Sequence, residues 1–137
     1  MAVALLPTNQ HEPIKYLVFY GYSKGGDIAL QFSRLIEQKK IVDLLVTVDV
    51  ANGPWSGKMN RSVPGNVLKH INIFQTTPNF LLRSHGMAAY STLIDKIENL
   101  NVTNQIIEGK KVNHSNIELL MVPQVIEWIL KNNYNKD

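Results

Sequence analysis

The chain has 137 residues, of which 45% are hydrophobic and 18% charged, values typical of one globular domain. Its net charge of +3 comes from scattered Lys and Arg residues, without the basic stripe and interleaved aromatic side chains of a nucleic-acid-binding surface. The absence of cysteine excludes disulfides, thiolate metal sites and a cysteine nucleophile. We therefore expect a single domain over residues 1–137 that does not bind nucleic acid.

We predict that residues 1–14 form an irregular segment and not a signal peptide. Their apolar run, in "MAVALLPTNQHEP", is short and has no basic start. No apolar stretch of the sequence is long enough to span a bilayer. On these grounds we expect a cytoplasmic protein without a transmembrane segment.

Apolar strands and amphipathic helices alternate along the rest of the chain. We predict strands at 15–22, 41–50, 67–76 and 102–108, and helices at 25–39, 85–99 and 116–132. Pro123 falls inside the last helix and predicts a kink or a late start. The segment 51–66 is rich in Gly, Pro, Asn and Ser and predicts a loop. The order indicates an α/β fold with a mostly parallel sheet of about four strands flanked by helices.

Two of these helices have a predicted inner face. In the first, the face consists of Ile28, Ala29, Phe32, Leu35 and Ile36, which recur at spacings of three and four residues. In the second, it consists of Met87, Tyr90, Leu93, Ile94 and Ile97.

Three polar residues follow the carboxyl ends of predicted strands, where parallel sheets bind ligands. Ser23 follows the first strand, Asp49 ends the second, and His114 follows the fourth. A serine hydroxyl needs an adjacent base, which histidine supplies near neutral pH. A buried carboxylate fixes the histidine tautomer and stabilises the imidazolium. The pattern predicts a catalytic triad, with Ser23 as nucleophile, His114 as base and Asp49 as acid.

The glycines around Ser23 predict a nucleophile elbow. In a G-x-S-x-G turn, small residues at both ends let a strand and a helix pass closely, and the serine hydroxyl is exposed at the turn. Gly21 and Gly25 occupy these positions, and Gly26 adds room. The backbone N–H of Lys24, at the start of the helix, is the predicted oxyanion donor. A P-loop is disfavoured because Lys24 is in the wrong place for one.

The stretches "GYSKGGDIALQ", "LLVTVDVANGP" and "VNHSNIE" together resemble the elbow, the strand-end acid and the histidine loop of lipase- and esterase-like α/β hydrolases. The resemblance covers about residues 15–132, and the order Ser, Asp, His is that of the superfamily. It implies an ester hydrolase without a cofactor that acts on a small ester or a lipid. It also implies the C-terminal half of the fold, because the strands before the elbow and the loop with the second oxyanion donor are missing. The chain is then a weakly active enzyme or a fragment of a longer protein.

Four residues are further candidates for the substrate pocket: Tyr22, Trp55, Met59 and His85. Trp55 and Met59 belong to the loop 51–66, where Trp55 either lines a pocket or plugs the end of the sheet. His85 is also the second candidate for the base.

Other titratable residues have simpler explanations. Asp43 lies at the far end of its strand, Asp95 and Glu98 lie on the solvent face of a predicted helix, and His70 is predicted to be structural. His11 belongs to the loose N-terminal segment. The histidines are dispersed along the sequence, so we expect no metal.

The alternative function is that of an inactive hydrolase remnant that acts as a binding or assembly module. The apolar first strand, "YLVFY", would form an exposed edge of the sheet, and such edges pair with other chains. We therefore expect a homo-oligomer or a separate partner at this edge.

Overall fold

The computed structural model describes residues 2–5, 16–92 and 94–134 of the chain. The strands within these ranges are β1 (Ala2–Leu5), β2 (Leu17–Tyr22), β3 (Leu44–Val48), β4 (His70–Phe74), β5 (Ile97–Asn101), β6 (Ile106–Ile107) and β7 (Lys110–Lys111). The helices are α1 (Lys24–Leu35), a short 3₁₀ helix (Ile94–Lys96) and α2 (Ile117–Tyr134).

Strands β1 to β5 form one sheet in the order β1-β2-β3-β4-β5. Neighbouring strands from β2 to β5 run parallel, and β1 pairs antiparallel with β2. The predicted α/β class with a mostly parallel sheet of four strands is thereby confirmed, with an antiparallel strand added at one edge. The two-residue strands β6 and β7 form a separate hairpin before α2.

The helices α1 and α2 cover opposite faces of this sheet. Side chains of β3 alternate between the two faces, with Val46 in the core beneath α2 and Leu45 in the core beneath α1. The centre of the sheet is fully buried, as expected for parallel strands covered on both sides. This packing brings the carboxyl ends of β2, β3 and β4 to one edge of the sheet.

The predicted helix over 85–99 is wrong. The segment is irregular up to the 3₁₀ helix and β5, because its backbone groups have tertiary partners instead of helical ones. Asn99 bonds both the N–H and the carbonyl of Ala89, at 2.9 and 3.0 Å. Tyr90 pairs with the neighbouring loop, where Val63 N–H donates to its carbonyl at 2.9 Å. Glu98 accordingly lies in a strand.

Two further predictions about the strands are corrected. The segment 102–108 is a turn followed by β6, because the fourth parallel strand comes earlier, as β5. The N-terminal segment is not wholly irregular, since Ala2–Leu5 forms β1. Because β1 pairs with Leu17–Tyr20 of β2, the first predicted strand is not an exposed edge of the sheet. The edge of β2 through which an oligomer was expected to form is therefore already paired within the chain.

Helix α1 confirms the predicted helix but not its predicted inner face. Its buried residues are Gly26, Asp27, Ala29, Leu30 and Ser33, whereas Ile28, Phe32 and Leu35 are exposed. Two of the buried residues are polar and find local partners. The Ser33 hydroxyl donates to the Ala29 carbonyl, and the Asp27 carboxylate accepts from Gln31. Hydrophobicity alone therefore predicted the wrong rotation of the helix.

The last helix starts at Ile117, one residue after the start of its predicted range 116–132, with Pro123 inside it. Proline removes one backbone N–H donor from a helix interior. The alternative that Pro123 delays the start of the helix is wrong, because α2 begins at Ile117 and continues through Pro123 to Tyr134.

Candidate active site

Ser23 occupies the sharp turn between β2, which ends at Tyr22, and α1, which begins at Lys24. Its backbone has φ 52° and ψ −123°, a conformation that residues with a side chain rarely adopt. The Ser23 N–H donates to the Val48 carbonyl at 2.9 Å, which ties the turn to the end of β3. The side chain remains partly exposed at this edge of the sheet.

Gly21 allows this turn to form. A Cβ atom on Gly21 would lie 2.3 Å from the Gly25 carbonyl oxygen and 2.6 Å from Gly26 Cα, both closer than real Cβ contacts. The obstructing atoms belong to the backbone and cannot turn aside as a side chain does. The close passage of β2 and α1 therefore requires glycine at this position.

Asp49 follows β3 directly and is fully buried. Its backbone also has a positive φ, 41°, and its N–H donates to the Ile73 carbonyl at 2.7 Å. The carboxylate oxygen Oδ2 lies 2.8 Å from His114 Nδ1. Gln75 donates twice to the same carboxylate, from its N–H to Oδ1 at 3.3 Å and from Nε2 to Oδ2 at 2.8 Å. The charge is thus buried with several donors around it.

His114 lies between β7 and α2 and joins the other two residues. Its Nε2 is 3.1 Å from Ser23 Oγ, and its side chain is 16% exposed. Because the Asp49 carboxylate can only accept, Nδ1 of the ring carries the proton. In the neutral ring Nε2 is then an acceptor, to which the Ser23 hydroxyl donates. The structure thus brings Ser23, His114 and Asp49 into one hydrogen-bonded chain.

Tyr22 holds the histidine loop against the elbow. Its hydroxyl donates to the His114 carbonyl, and the two rings stack with centroids 5.2 Å apart. Burial raises the pKa of Tyr22, and the negative charges of Glu118 and Asp49 raise it further. The phenol therefore keeps its proton and remains a donor over the physiological pH range. Tyr22 was predicted to line the substrate pocket. In the structure its contacts hold His114 in position.

Gln75 and Arg61 belong to this region and were missed by the sequence analysis. Gln75, 1% exposed, follows β4 by one residue, at the same edge of the sheet as Asp49. An amide directly after the apolar run "HINIF" was the available signal. Arg61, 3% exposed, donates from Nη2 to the Val50 carbonyl at 2.7 Å and to the Ser84 carbonyl.

Arg61 is a buried cation that ties two loops to the end of β3. Burial lowers its pKa to about 10, while the nearby negative charges of Asp27 and Asp49 act in the opposite direction. The guanidinium therefore stays charged at neutral pH. Nothing in the loop sequence "GKMNRSVPGN" distinguishes this buried arginine from a solvated one.

The structure gives the remaining candidate pocket residues different surroundings. Trp55 is 96% exposed at a turn, so it does not plug the end of the sheet. Met59 is buried, at 7% exposure. His85 Nε2 lies 2.9 Å from the Thr77 carbonyl, in the loop after β4.

The predicted oxyanion donor, Lys24, is the first residue of α1, where a backbone N–H has no acceptor within its own helix.

The competing titratable residues have other partners. Asp43 accepts from the Leu17 N–H at 2.7 Å, at the opposite end of the strands. His70 is fully buried beside Thr47, and burial, with the charges of Arg61 and Lys96, lowers its pKa to about 3. His11 lies outside the described residues.

Neither a metal cluster nor a membrane-spanning helix is found in the part of the chain that the structure describes. There, no three His, Asp or Glu side chains are grouped so that they could hold a metal ion. Likewise, no helix in the described ranges has the length and hydrophobicity needed to cross a bilayer.

A scan against protein-family models and searches of curated proteins and of solved structures found no match to this chain.

Proposed function

We propose that this protein is a serine hydrolase that cleaves carboxylic esters through an acyl-enzyme. The observation that carries the proposal is the chain of hydrogen bonds from Ser23 Oγ to His114 at 3.1 Å and from His114 to Asp49 at 2.8 Å. Nucleophile, base and orienting acid are each within hydrogen-bond reach of the next, as this chemistry requires.

The reaction begins at Ser23. Its oxygen attacks the ester carbonyl carbon while His114 Nε2 takes the hydroxyl proton. The imidazolium is stabilised by the buried Asp49 carboxylate and then gives its proton to the leaving alcohol. Water, activated by the same histidine, attacks the acyl-enzyme and releases the acid. These steps need no cofactor.

The N-terminus of α1 supports the charge that develops on the carbonyl oxygen. The Lys24 N–H lies next to the nucleophile and carries part of the positive end of the helix dipole. This is a single donor, whereas oxyanion holes commonly use two. Loss of one donor costs about 10²–10³ in rate where it has been measured, so we expect slow turnover.

The same features support membership of the α/β-hydrolase superfamily as a proposal. The elbow follows a parallel strand, the acid directly follows the next strand, and the histidine precedes the last helix. The supporting evidence is the geometry of these residues together with their order in the chain.

The alternative is an inactive remnant that only binds a partner. That function leaves no reason for Ser23 to be accessible or for Asp49 to face His114. In the structure Ser23 is partly exposed, and Asp49 accepts from the histidine ring. Both observations favour the enzyme.

Hydrolysis of p-nitrophenyl acetate and butyrate tests the proposal. We expect Ser23→Ala and His114→Gln to lose measurable hydrolysis, and Asp49→Asn to lower kcat by roughly 10³–10⁴-fold, because it leaves the wrong histidine tautomer. Ser115→Ala and His85→Gln are matched controls that should keep the wild-type rate. Hydrolysis that survives in folded Ser23→Ala protein would contradict the proposal.

A further inference from the structure

Two tight turns carry large apolar side chains at their corners. In turn 53–56, closed by Ser56 N–H to the Gly53 carbonyl at 3.1 Å, Trp55 is 96% exposed. Turn 79–82 is closed by Leu82 N–H to the Asn79 carbonyl at 3.2 Å, and in it Phe80 is 90% and Leu81 54% exposed. Turn corners usually carry Gly, Pro, Asn, Asp or Ser. Apolar residues at both sets of corners therefore need another explanation than the turns themselves.

The two turns form one surface. Asn52 and Arg83 exchange both backbone hydrogen bonds, at 2.9 and 2.8 Å, as an antiparallel pair. In this antiparallel pairing the chain after residue 52 runs beside the chain before residue 83, so the turns that carry Trp55 and Phe80 leave the pair in the same direction. Arg61 holds the base of both segments through the Val50 and Ser84 carbonyls. The turns are thus supported by buried contacts.

The surface is also cationic. The sequence has no Asp or Glu between Asp49 and Asp95, whereas this stretch contains Lys58, Arg61, Lys69 and Arg83. Lys58 and Arg83 are exposed, and each lies within three residues of an apolar corner. We call the set Trp55, Phe80, Leu81, Lys58 and Arg83 the turn-tip surface.

We propose that the turn-tip surface docks the protein onto an anionic phospholipid membrane. Tryptophan favours the headgroup region, where its ring is amphipathic, and Phe and Leu side chains enter the acyl boundary. Basic residues beside them are attracted to anionic headgroups. A bilayer accommodates protruding tips without a complementary shape.

A second copy of the chain is a poorer occupant of this surface. Face-to-face association would bring Lys58 and Arg83 of both copies together with no acidic residue of the same loops to neutralise them. A bilayer with anionic lipids provides the missing negative charge.

The turn-tip surface adjoins the candidate active site. Asp49 follows β3 just before the first of the two loops, and Gln75 follows β4 just before the second. Docking would therefore place this edge of the sheet at the lipid surface. The docking proposal goes beyond the proposed hydrolysis and does not depend on it.

Co-sedimentation with vesicles tests the docking. The vesicles consist of phosphatidylcholine alone or with about one third phosphatidylglycerol, and Ser23→Ala protein is used alongside the wild type. We expect both proteins to bind the anionic vesicles equally. The pair Trp55→Ser and Phe80→Ser should lower the partition coefficient at least tenfold, and Lys58→Gln with Arg83→Gln should lower it by roughly fivefold per charge.

Matched substitutions on another exposed apolar face control for general stickiness. Leu119 and Leu130 of α2 are 74% and 48% exposed, and Leu119→Ser with Leu130→Ser should leave binding unchanged. In a Trp128→Phe background, Trp55 is the only tryptophan, because the chain has two. Its emission should shift to the blue on addition of anionic vesicles.

Three results overturn the docking proposal. The first is the absence of binding to anionic vesicles, and the second is binding that survives the Trp55→Ser and Phe80→Ser pair. The third is a blue shift of Trp55 that grows with protein concentration in the absence of lipid, which assigns the surface to self-association. Loss of ester hydrolysis in Ser23→Ala with vesicle binding intact separates the two proposals.

Discussion

Asp49 receives several hydrogen bonds, and Gln75 supplies two of them. The Gln75 side chain is itself fixed, because its Oε1 accepts from the Thr77 N–H at 2.8 Å. In the proposed mechanism, Gln75 is a positioning residue that holds the carboxylate toward His114. It does not touch the substrate.

Replacement of this amide tests its positioning role. Gln75→Met keeps the volume of the side chain but removes the donor from Nε2. Hydrogen bonds to charged groups contribute about 1.5–3 kcal/mol, so we expect kcat for p-nitrophenyl butyrate to fall about ten- to a hundredfold with KM unchanged. Gln124→Met, at a half-buried glutamine of α2, is the control. An unchanged kcat in folded Gln75→Met would show that the amide does not position the acid.

His70 illustrates a different use of a buried histidine. Thr47 donates its one hydroxyl proton to Asn72 Oδ1, so His70 Nε2 must donate to Thr47 Oγ1. The other ring nitrogen, Nδ1, is buried without a hydrogen-bond partner. The ring is therefore neutral in the folded protein, in agreement with its pKa of about 3.

The neutral ring predicts a loss of stability in acid. Because the folded pKa lies below the ordinary value of about 6.5, the unfolded chain binds the proton first as pH falls. The contribution of His70 is complete above pH 6.5 or so and decreases toward pH 3, by at most about 1.4 kcal/mol per pH unit. Urea unfolding of His70→Gln should therefore show a shallower decrease below pH 6.5 than the wild type. Parallel curves for the two proteins would contradict the neutral assignment.

The elbow between β2 and α1 requires a glycine at position 21. In Gly21→Ala the new methyl group meets backbone atoms of Gly25 and Gly26, so the start of α1 must move. We expect the free energy of unfolding to fall by about 1–3 kcal/mol, as for other overpacked sites, and ester hydrolysis to be lost. Gly57→Ala is the matched control, because no atom lies within 4 Å of its added Cβ. Equal stability of the two variants in urea would show that the elbow tolerates a side chain.

The elements that sequence analysis identified well are those whose pattern is local. The runs that became β2, β3 and β4 are almost uniformly apolar, and each strand lies inside its predicted range. The segment 85–99 had a helical pattern, but Asn99 and the neighbouring loop bond its backbone instead. These partners lie outside the spacing of three or four residues that helical periodicity describes, so the periodicity cannot reveal them.

The candidate site shows the same difference between features that a local pattern predicts and features that depend on tertiary contacts. Ser23, Asp49 and His114 could be predicted together because polar residues after parallel strands must share an edge. Gln75 and Arg61 could not, since an amide or a guanidinium is identified as buried only by its partners. In α1, burial of Asp27 and Ser33 rotated the helix away from the face that hydrophobicity predicted.

On the scale of the whole molecule, a parallel sheet between two helices brings residues from three separate stretches of the chain to one edge. The antiparallel β1 covers the side of β2 that was expected to pair with another chain. Several exposed apolar residues lie on the helices, and Trp55, Phe80 and Leu81 lie at the two turns, at the edge that carries the candidate active site. One end of the sheet thus combines the proposed chemistry with the proposed lipid contact.

The most direct measurement is intact-mass spectrometry after treatment with a fluorophosphonate, which reacts with activated serines. We expect a single adduct on the wild type, no adduct on Ser23→Ala, a slowed reaction with His114→Gln and a wild-type rate with Ser115→Ala. Absence of an adduct on well-folded wild-type protein, or an adduct that persists on Ser23→Ala, would contradict the claim that Ser23 is an activated nucleophile.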